Sequence, residues 1–287
     1  MQREPSVFFL QGFTGIGLVG YLAVENLSKE YENQIEKLAT FPDFFPRILT
    51  VEQGKMNLQS VRLEKLQHDG DLLYLIYGPQ PDNEIMLYHA AQTLLSIISQ
   101  LNEETPIEVY LSFGAFMRDF EIPALENEKE VEKVSEEILR NEYSEKRIIR
   151  YAYSGLDPSI LVKVRTEEFE VLPSEDGVIS GLNGFLPAFV SEKLSIPAVS
   201  VMIETSIIRE LQMANDPLST YFGLCASRIG IKFINQVFRL DISTSRIENM
   251  IEKISHDAKE ELQMLILQAS KAKKLRDSGS TDTSQFL

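Results

Sequence analysis

Near its start the chain reads Val7-Phe8-Phe9-Leu10, followed by Gly12-Phe13-Thr14-Gly15-Ile16-Gly17-Leu18-Val19-Gly20. The four apolar residues predict a short buried strand. After the first glycines, apolar residues recur at helical spacing and predict one buried helix face: Ile16, Val19, Ala23 and Leu27. A strand, a glycine-rich turn and a helix, in this order, are typical of the first unit of an α/β sheet.

The alternation of strands and helices continues along the chain. Further strands are predicted at 35–41, 60–66, 72–77, 107–113, 148–153 and 197–204, the second and third as a hairpin that turns at His68-Asp69-Gly70. Helices are predicted at 83–101, within the charged segment 126–142, from Gly184 to about Leu194, and after Asp216-Pro217, where Asp216 is the N-cap. This order predicts a three-layer α/β domain with a mostly parallel sheet.

The C-terminal region predicts a long amphipathic helix. Ser245-Arg246-Ile247-Glu248 matches a capping box. One apolar stripe follows at steps of three and four: Ile247, Ile251, Ile254, Ala258, Leu262, Leu265 and Ala269. Either the parent domain or another subunit must cover it. We therefore predict a core domain over 1–242 with a charged helical insertion near 118–146, a helix over 243–276 and a flexible tail over 277–287.

Composition excludes several classes of protein. The 287 residues include 28 Lys and Arg against 43 Asp and Glu, a net charge of −15, which argues against binding to nucleic acid. One cysteine cannot form an internal disulfide, and three scattered histidines form no zinc motif. The longest apolar runs are too short to cross a bilayer, and the N-terminus lacks the pattern of a signal peptide. We expect a cytoplasmic protein that does not bind membranes.

The glycine loop permits two interpretations. Gly15-x-Gly17-x-x-Gly20 matches the dinucleotide-binding pattern, in which helix amides hold a pyrophosphate. However, the second strand lacks the acidic residue that would hold a ribose, because Asp43 lies beyond Pro42, and no Lys or Arg lies between residues 11 and 28. Alternatively, Gly12, Gly15, Gly17 and Gly20 allow close packing on the sheet or on another subunit. Gly177, Gly181 and Gly184 form a second set before a helix, which provides either an anion site or a tight turn.

Candidate catalytic residues do not form a set. Ser180 lacks the first glycine of a nucleophile elbow, and Cys225 lies in an apolar helix, where a buried inert thiol is favoured. Glu204 follows the last strand and is either a base or a partner of the backbone, while His89 suits a helix surface or a subunit contact. We predict no enzyme activity, no cofactor and no metal site.

The order of several short motifs resembles the proteasome assembly chaperone family, which includes the eukaryotic assembly chaperone two and archaeal-type relatives. The resemblance covers about residues 7–240. It rests on Gly12-Phe13-Thr14-Gly15-Ile16-Gly17-Leu18-Val19-Gly20, Phe45-Pro46, Tyr77-Gly78-Pro79-Gln80-Pro81, Ser112-Phe113-Gly114-Ala115, Gly181-Leu182-Asn183-Gly184-Phe185-Leu186-Pro187, Glu204-Thr205 and Asp216-Pro217.

This resemblance implies an α/β/α sandwich similar to nucleoside phosphorylases but without their active site. It also implies a non-enzymatic protein that binds α subunits of the core proteasome, and it implies a homo-oligomer.

The last three residues are a candidate partner-binding site. Proteins that resemble known partners of the proteasome α ring often end in a hydrophobic residue, a tyrosine and a final residue, which insert into pockets between α subunits. Here a tether of Ser, Gly, Thr and Asp leads to Gln285-Phe286-Leu287, which differs by Gln285 and by the missing tyrosine hydroxyl. The sequence permits two interpretations of this end, insertion into such a pocket and disorder.

Overall fold

The computed structural model describes residues 6–41, 49–52, 55–58, 60–81, 83–162, 164, 166–176, 179, 181–207 and 216–277. The strands are β1 Val7–Phe13, β2 Ile35–Phe41, β3 Leu49–Glu52, β4 Lys55–Leu58, β5 Val61–His68, β6 Asp71–Gly78, β7 Val109–Asp119, β8 Arg147–Ser154, β9 Phe169–Pro173 and β10 Ala198–Ile207. The helices are α1 Val19–Glu30, α2 Glu84–Glu104, α3 Glu128–Ser144, α4 Ser159–Val162, α5 Leu182–Leu194, α6 Pro217–Phe238 and α7 Ser245–Asp277.

Eight strands form one sheet in the order β2-β5-β6-β1-β7-β10-β8-β9. The central strand β1 is parallel to β6 and β7, and β10 is inserted between β7 and β8. Among the described strands of this sheet, four of the seven pairings are parallel; β2–β5, β5–β6 and β10–β8 are antiparallel. The sheet is therefore mixed, and parallel pairings are in the majority, as predicted.

Helices cover both faces of the sheet, which gives the predicted three layers. On one face α2 and α5 pack against each other over an apolar core that includes Phe9, Tyr74 and Leu186. On the other face α1 and α6 pack against the sheet, and α3 and α7 pack against α6. Among the described residues, no helix is both long enough and apolar enough to cross a bilayer.

The apolar stripe of α7 is covered by the chain itself. Ile251, Ala258 and Leu262 are buried, and α7 contacts α6, α3 and α1. The helix begins at Ser245, so the cap lies one residue earlier than the predicted capping box: the Thr244 hydroxyl donates to the Glu248 carboxylate at 3.1 Å. Within the charged segment, α3 buries Val131 and Leu139 against this helical layer.

Local predictions are largely confirmed, with some differences. The β5–β6 hairpin turns at Asp69 and Gly70, both with positive φ, as a two-residue turn requires. Strand β7 continues to Asp119, past the predicted end at 113. The helical period of 83–101 predicts one apolar side formed by Ile85, Tyr88, Leu94, Leu95 and Ile98. Of these, Ile85 and Tyr88 are exposed. The β3–β4 hairpin, β9 and α4 have no counterpart in the sequence analysis.

Candidate functional site

The glycine segment after β1 lies at the carboxyl ends of the parallel strands β1, β6 and β7, the edge at which α/β sheets commonly bind ligands. Gly15 and Ile16 line an open cleft of about 980 Å³. The other walls of the cleft come from β7, β8, β10, the end of β9 and the start of α5. Ile16 was predicted to lie on the buried face of α1, but it is exposed at this cleft.

Gly12 and Gly20 allow α1 to lie directly on the sheet. A Cβ atom on Gly12 would lie 2.0 Å from the carbonyl oxygen of Gly20. A Cβ atom on Gly20 would lie 2.3 Å from the carbonyl oxygen of Phe113 in β7. Because these neighbours are backbone atoms, any larger residue would push the helix away from β1 and β7.

Gly17 serves the contact between the loop and α6. Its φ of 59° is a left-handed conformation that favours glycine, and a Cβ atom on Gly223 would lie 2.1 Å from the Gly17 carbonyl oxygen. Gly15 differs, because its backbone is extended and a Cβ atom there would meet nothing closer than Asn183 Nδ2, at 3.7 Å. Packing within one chain thus accounts for Gly12, Gly17 and Gly20. An anion or subunit contact at the loop stays a prediction.

The arrangement of strands argues against a dinucleotide at this loop. In the dinucleotide-binding unit, the second strand lies beside the first and carries the acidic residue for the ribose. Here β5 and β6 separate β2 from β1, which places β2 roughly 14 Å away at the usual strand spacing. Asp43, the nearest acidic candidate, lies outside the described residues.

Asn183 joins the second glycine motif to the end of β1. The Phe13 amide donates to Asn183 Oδ1, and Asn183 Nδ2 donates to the Phe13 carbonyl, each at 3.1 Å. The hydroxyls of Ser112 and Ser200 both donate to the Asn183 carbonyl, at 2.8 and 3.1 Å. This buried network therefore fixes the start of α5 to β1, β7 and β10.

Gln11 of β1 also belongs to this buried network. Its Nε2 donates to the Leu182 carbonyl at 2.8 Å and to Asn183 Oδ1 at 3.1 Å. Its Oε1 accepts a hydrogen bond from the hydroxyl of Tyr110. Burial raises the pKa of Tyr110 far above its ordinary value, so the phenol stays a hydrogen-bond donor.

Gln80 joins the Tyr77–Pro81 motif to the glycine loop and to the start of α5. The Gln80 amide donates to the Thr14 hydroxyl, and the Leu182 amide donates to Gln80 Oε1, both at 3.0 Å. Gly181 precedes α5 with a φ of 73°, and a Cβ atom on it would lie 2.6 Å from Gln80 Oε1. Four of the motifs that define the resemblance, separated in sequence, therefore meet at one edge of the sheet. Phe45-Pro46 and Gly177 lie outside the described residues.

The cleft beside this network combines aromatic, polar and acidic groups. The Arg150 guanidinium lies over the Phe116 ring at 5.5 Å and pairs with Glu175 at 2.7 Å. Asp176 lies on the same wall. The lining can stack a planar group and form hydrogen bonds to it, but its arginine is already neutralised by a carboxylate.

A buried ionic cluster joins α3 to the sheet, and no pattern in the sequence indicates it. Glu142 at the end of α3 pairs with Arg147 of β8 at 2.6 Å and with Arg118 of β7 at 2.9 Å. The Ser206 hydroxyl donates to Glu142 Oε2 at 2.8 Å. Arg147 is only 1% exposed. These bonds give all three charged groups a partner and join α3 to three strands.

The remaining candidates have structural roles. Glu204 Oε2 accepts from the Ile148 amide at 3.3 Å, which matches its interpretation as a partner of the backbone. Asp216 caps α6 by accepting from the Ser219 amide at 2.6 Å, as predicted. Cys225 is buried, and burial raises the pKa of its thiol to about 12. His89 lies on the exposed surface of α2.

Ser180 and Gln285-Phe286-Leu287 lie outside the described residues, so their roles stay predictions. Within the described ranges, no group of three His, Cys, Asp or Glu side chains is arranged to hold a metal ion.

A family model described as the PAC2 family matches residues 9–262, which include all the motifs that meet at this edge. The chain belongs to the PAC2 family. No curated protein matches the sequence of this PAC2 protein.

Solved structures share the fold of this PAC2 protein. Pyrococcus furiosus PbaB, described as an archaeal proteasome activator, is 15% identical over 90% of this chain and 93% of its own, with a TM-score of 0.60. P. furiosus PbaA, described as an archaeal homologue of proteasome-assembly chaperone, is 14% identical over 96% and 95%, with a TM-score of 0.57. A Mycobacterium tuberculosis proteasome-assembly chaperone homologue is 13% identical over 89% and 94%, with a TM-score of 0.56. At these identities the likeness establishes the fold alone.

Proposed function

We propose that this PAC2 protein is a non-enzymatic, cytoplasmic chaperone-like protein that binds α subunits of the core proteasome and forms a homo-oligomer. Membership of the PAC2 family over residues 9–262 carries the proposal. The names of the P. furiosus and M. tuberculosis relatives support the connection with the proteasome.

The use of the glycine motifs supports a binding scaffold rather than an enzyme. Gly12, Gly20 and Asn183 are occupied in packing and in buried hydrogen bonds, so the sheet edge is built by groups that have partners within the chain. A catalytic base or nucleophile must instead be free to meet a substrate. Of the candidates, Glu204 is hydrogen-bonded and Cys225 is buried.

The tail supplies a specific contact in this proposal. Phe286 is an aromatic residue next to Leu287 and follows a polar segment. Aromatic anchors of this kind commonly dominate binding when they enter a pocket. We propose that Gln285-Phe286-Leu287 inserts between α subunits.

The experiment is a pull-down of proteasome α subunits by the full chain, by a chain that lacks 285–287, and by a matched pair of single variants. Phe286→Ala removes the anchor, and Gln285→Ala at the neighbouring position is the control. If the truncated chain and Phe286→Ala lose binding while Gln285→Ala keeps it, the result supports both the partner and the tail contact. Binding unaffected by truncation keeps the partner and moves the contact to the globular part. No binding by the full chain at micromolar concentration overturns the proposal.

The cleft favours one alternative, a small ligand bound beside Gly15. Its volume and its polar and aromatic lining resemble those of small-molecule sites. A panel of nucleotides and small anions should then raise the melting temperature of the full chain, and Arg150→Met should reduce the shift. If no member of the panel shifts the melting temperature, this alternative is wrong.

A further inference from the structure

The outer surface of the α2–α5 layer lacks charge. Between Glu84 and Glu103, α2 contains no Asp, Glu, Lys or Arg, and α5 contains none before Glu192. In the whole chain 25% of residues are charged. We call the exposed side chains of this surface the neutral face: Ile85, Tyr88, His89, Gln92, Thr93, Ser96 and Gln100 of α2, with Phe185 and Ala188 of α5.

One end of the neutral face is apolar and aromatic. Ile85 is 73% exposed and Tyr88 is 44% exposed, although both belong to residue types that folding usually buries. The Tyr88 ring lies 6.4 Å from Phe185 and 6.2 Å from Phe189, so the cluster bridges the two helices. Phe185 and Phe189 are themselves 4.4 Å apart. A contiguous exposed cluster of this kind marks an interaction surface.

We propose that the neutral face is the contact between two copies of this chain, related by a two-fold axis. Each copy carries a net charge of −15, so two copies repel one another at most orientations. A face without ionised carboxylates is where that repulsion is least. Protein interfaces also deplete charge at their centre and enrich tyrosine and phenylalanine, as this face does.

The chemistry of the face favours a second copy over a different partner. Gln92, Ser96 and Gln100 each carry both donors and acceptors, so such groups pair with their own kind across a two-fold axis. A partner with a strongly charged surface would gain nothing from a face that offers no opposite charge.

The size of the face fits a specific dimer. With 21 residues, α2 is about 31 Å long. With 13 residues, α5 is about 20 Å long. At a width of about 10 Å each, the two helices present roughly 500 Å² per copy. The total of about 1,000 Å² reaches the size that separates a specific interface from a crystal-packing contact.

This inference gives a location to the homo-oligomer of the proposed function, and it does not depend on binding to the proteasome. The test uses the purified full chain alone, so its failure leaves the pull-down unaffected and a failed pull-down leaves this test unaffected. The measurement is the mass in solution by sedimentation equilibrium at micromolar concentration, against 32.6 kDa for one chain.

Two variants place a charge on the neutral face, Ile85→Glu and Gln92→Glu. Because a two-fold contact repeats each substitution, both should reduce the mass of the assembly by half or more. The matched control is Met264→Glu on α7, which is 58% exposed on the opposite side of the sheet. Circular dichroism and thermal unfolding verify that each variant is folded.

Association of the wild type and of Met264→Glu, with dissociation of both face variants, supports the proposal. A wild type that sediments as one chain overturns it. Unchanged association of the folded face variants also overturns it, because the contact then lies elsewhere. Dissociation of all three variants overturns it too, since added charge at any position would then be sufficient.

Discussion

The side chain of Asn183 pairs with the backbone of Phe13 through two hydrogen bonds, one in each direction, both 3.1 Å long. The Asn183 side-chain amide thus forms, at the end of β1, the kind of backbone hydrogen bonds that a neighbouring strand forms along its middle. It also makes the start of α5 part of the sheet edge, 170 residues away from Phe13 in sequence.

Replacing Asn183 by alanine should destabilise the protein by about 2–4 kcal/mol, because it leaves buried donors and acceptors without partners. Asn235 is the matched control, since it forms the same two-way pair with the Ile242 backbone but is only partly buried. Asn235→Ala should cost about 1 kcal/mol. Urea unfolding measures both, and an equal loss would contradict the role assigned to burial.

Arg147→Met should destabilise the protein by about 3–5 kcal/mol, because it leaves Glu142 buried with one ionic partner fewer. Arg150→Met is the control, because Arg150 pairs with the exposed carboxylate of Glu175 and should cost less than about 1 kcal/mol. Chemical unfolding of the two variants under the same conditions tests the difference. Similar midpoints would mean that the buried cluster contributes no more than a surface pair.

Alanine substitutions in the glycine loop should reduce stability most at Gly12, less at Gly17 and least at Gly15. Gly12→Ala places a methyl group against backbone and should prevent normal folding. Gly17→Ala should cost about 1–2 kcal/mol, from the positive φ. Gly15→Ala meets only Asn183 Nδ2, at an ordinary contact distance of 3.7 Å, and should change stability by less than about 0.5 kcal/mol. Thermal unfolding gives the order, and a large loss in Gly15→Ala would contradict the packing account.

Cys225 should not react with a thiol reagent in the folded protein. Burial raises the pKa of its thiol to about 12, so at pH 8 only about one molecule in 10⁴ carries the thiolate. The control is the exposed His256→Cys variant, in which one thiol should react at once. Colorimetric titration should therefore count no thiol in the folded wild type and one after unfolding in guanidinium. Rapid labelling without denaturant would disprove the assignment.

Glu261 should make the protein less stable as the pH rises. Burial raises the pKa of its carboxyl, and the Asp216 carboxylate adds to this, although the bond from the Leu218 amide opposes it. Because the folded state binds the proton more tightly than the unfolded state, the stability from this group is full below the ordinary pKa of 4.5 and is lost as the pH rises through the raised pKa.

Glu261→Gln mimics the protonated carboxyl and should therefore be more stable than the wild type above that window and not below it. Melting temperatures across a pH series measure the difference, with the exposed Glu252→Gln variant on the same helix as the control. A constant difference at all pH values would rule out the titration of Glu261 as the cause.

Elements that depend on neighbouring residues were predictable from the sequence. Asp69-Gly70 carries its own turn preference, and the stripe of α7 shows its helical period directly. The partner that covers this stripe was not predictable, because periodicity reports which face is apolar and not what lies on it. For the same reason, the apolar side predicted for α2 includes Ile85 and Tyr88, which lie beyond the edge of the core.

The polar network of the candidate site was not predictable, because its partners are far apart in sequence. Asn183 lies in a glycine motif that explains a turn equally well without it. One signal was present: Gln11 follows four apolar residues and lies within a strand that is buried throughout. A polar residue in such a strand needs a buried partner, and only the fold identifies Tyr110 and Asn183.

The place of β10 between β7 and β8 has a consequence for synthesis on the ribosome. Strand β8 leaves the ribosome about fifty residues before β10 is complete. Because translation adds about 5–20 residues per second, the edges of β7 and β8 that pair with β10 stay unpaired for several seconds. A nascent chain in this state can pair with another nascent chain, so the rate of translation between β8 and β10 should govern how much of the protein escapes aggregation.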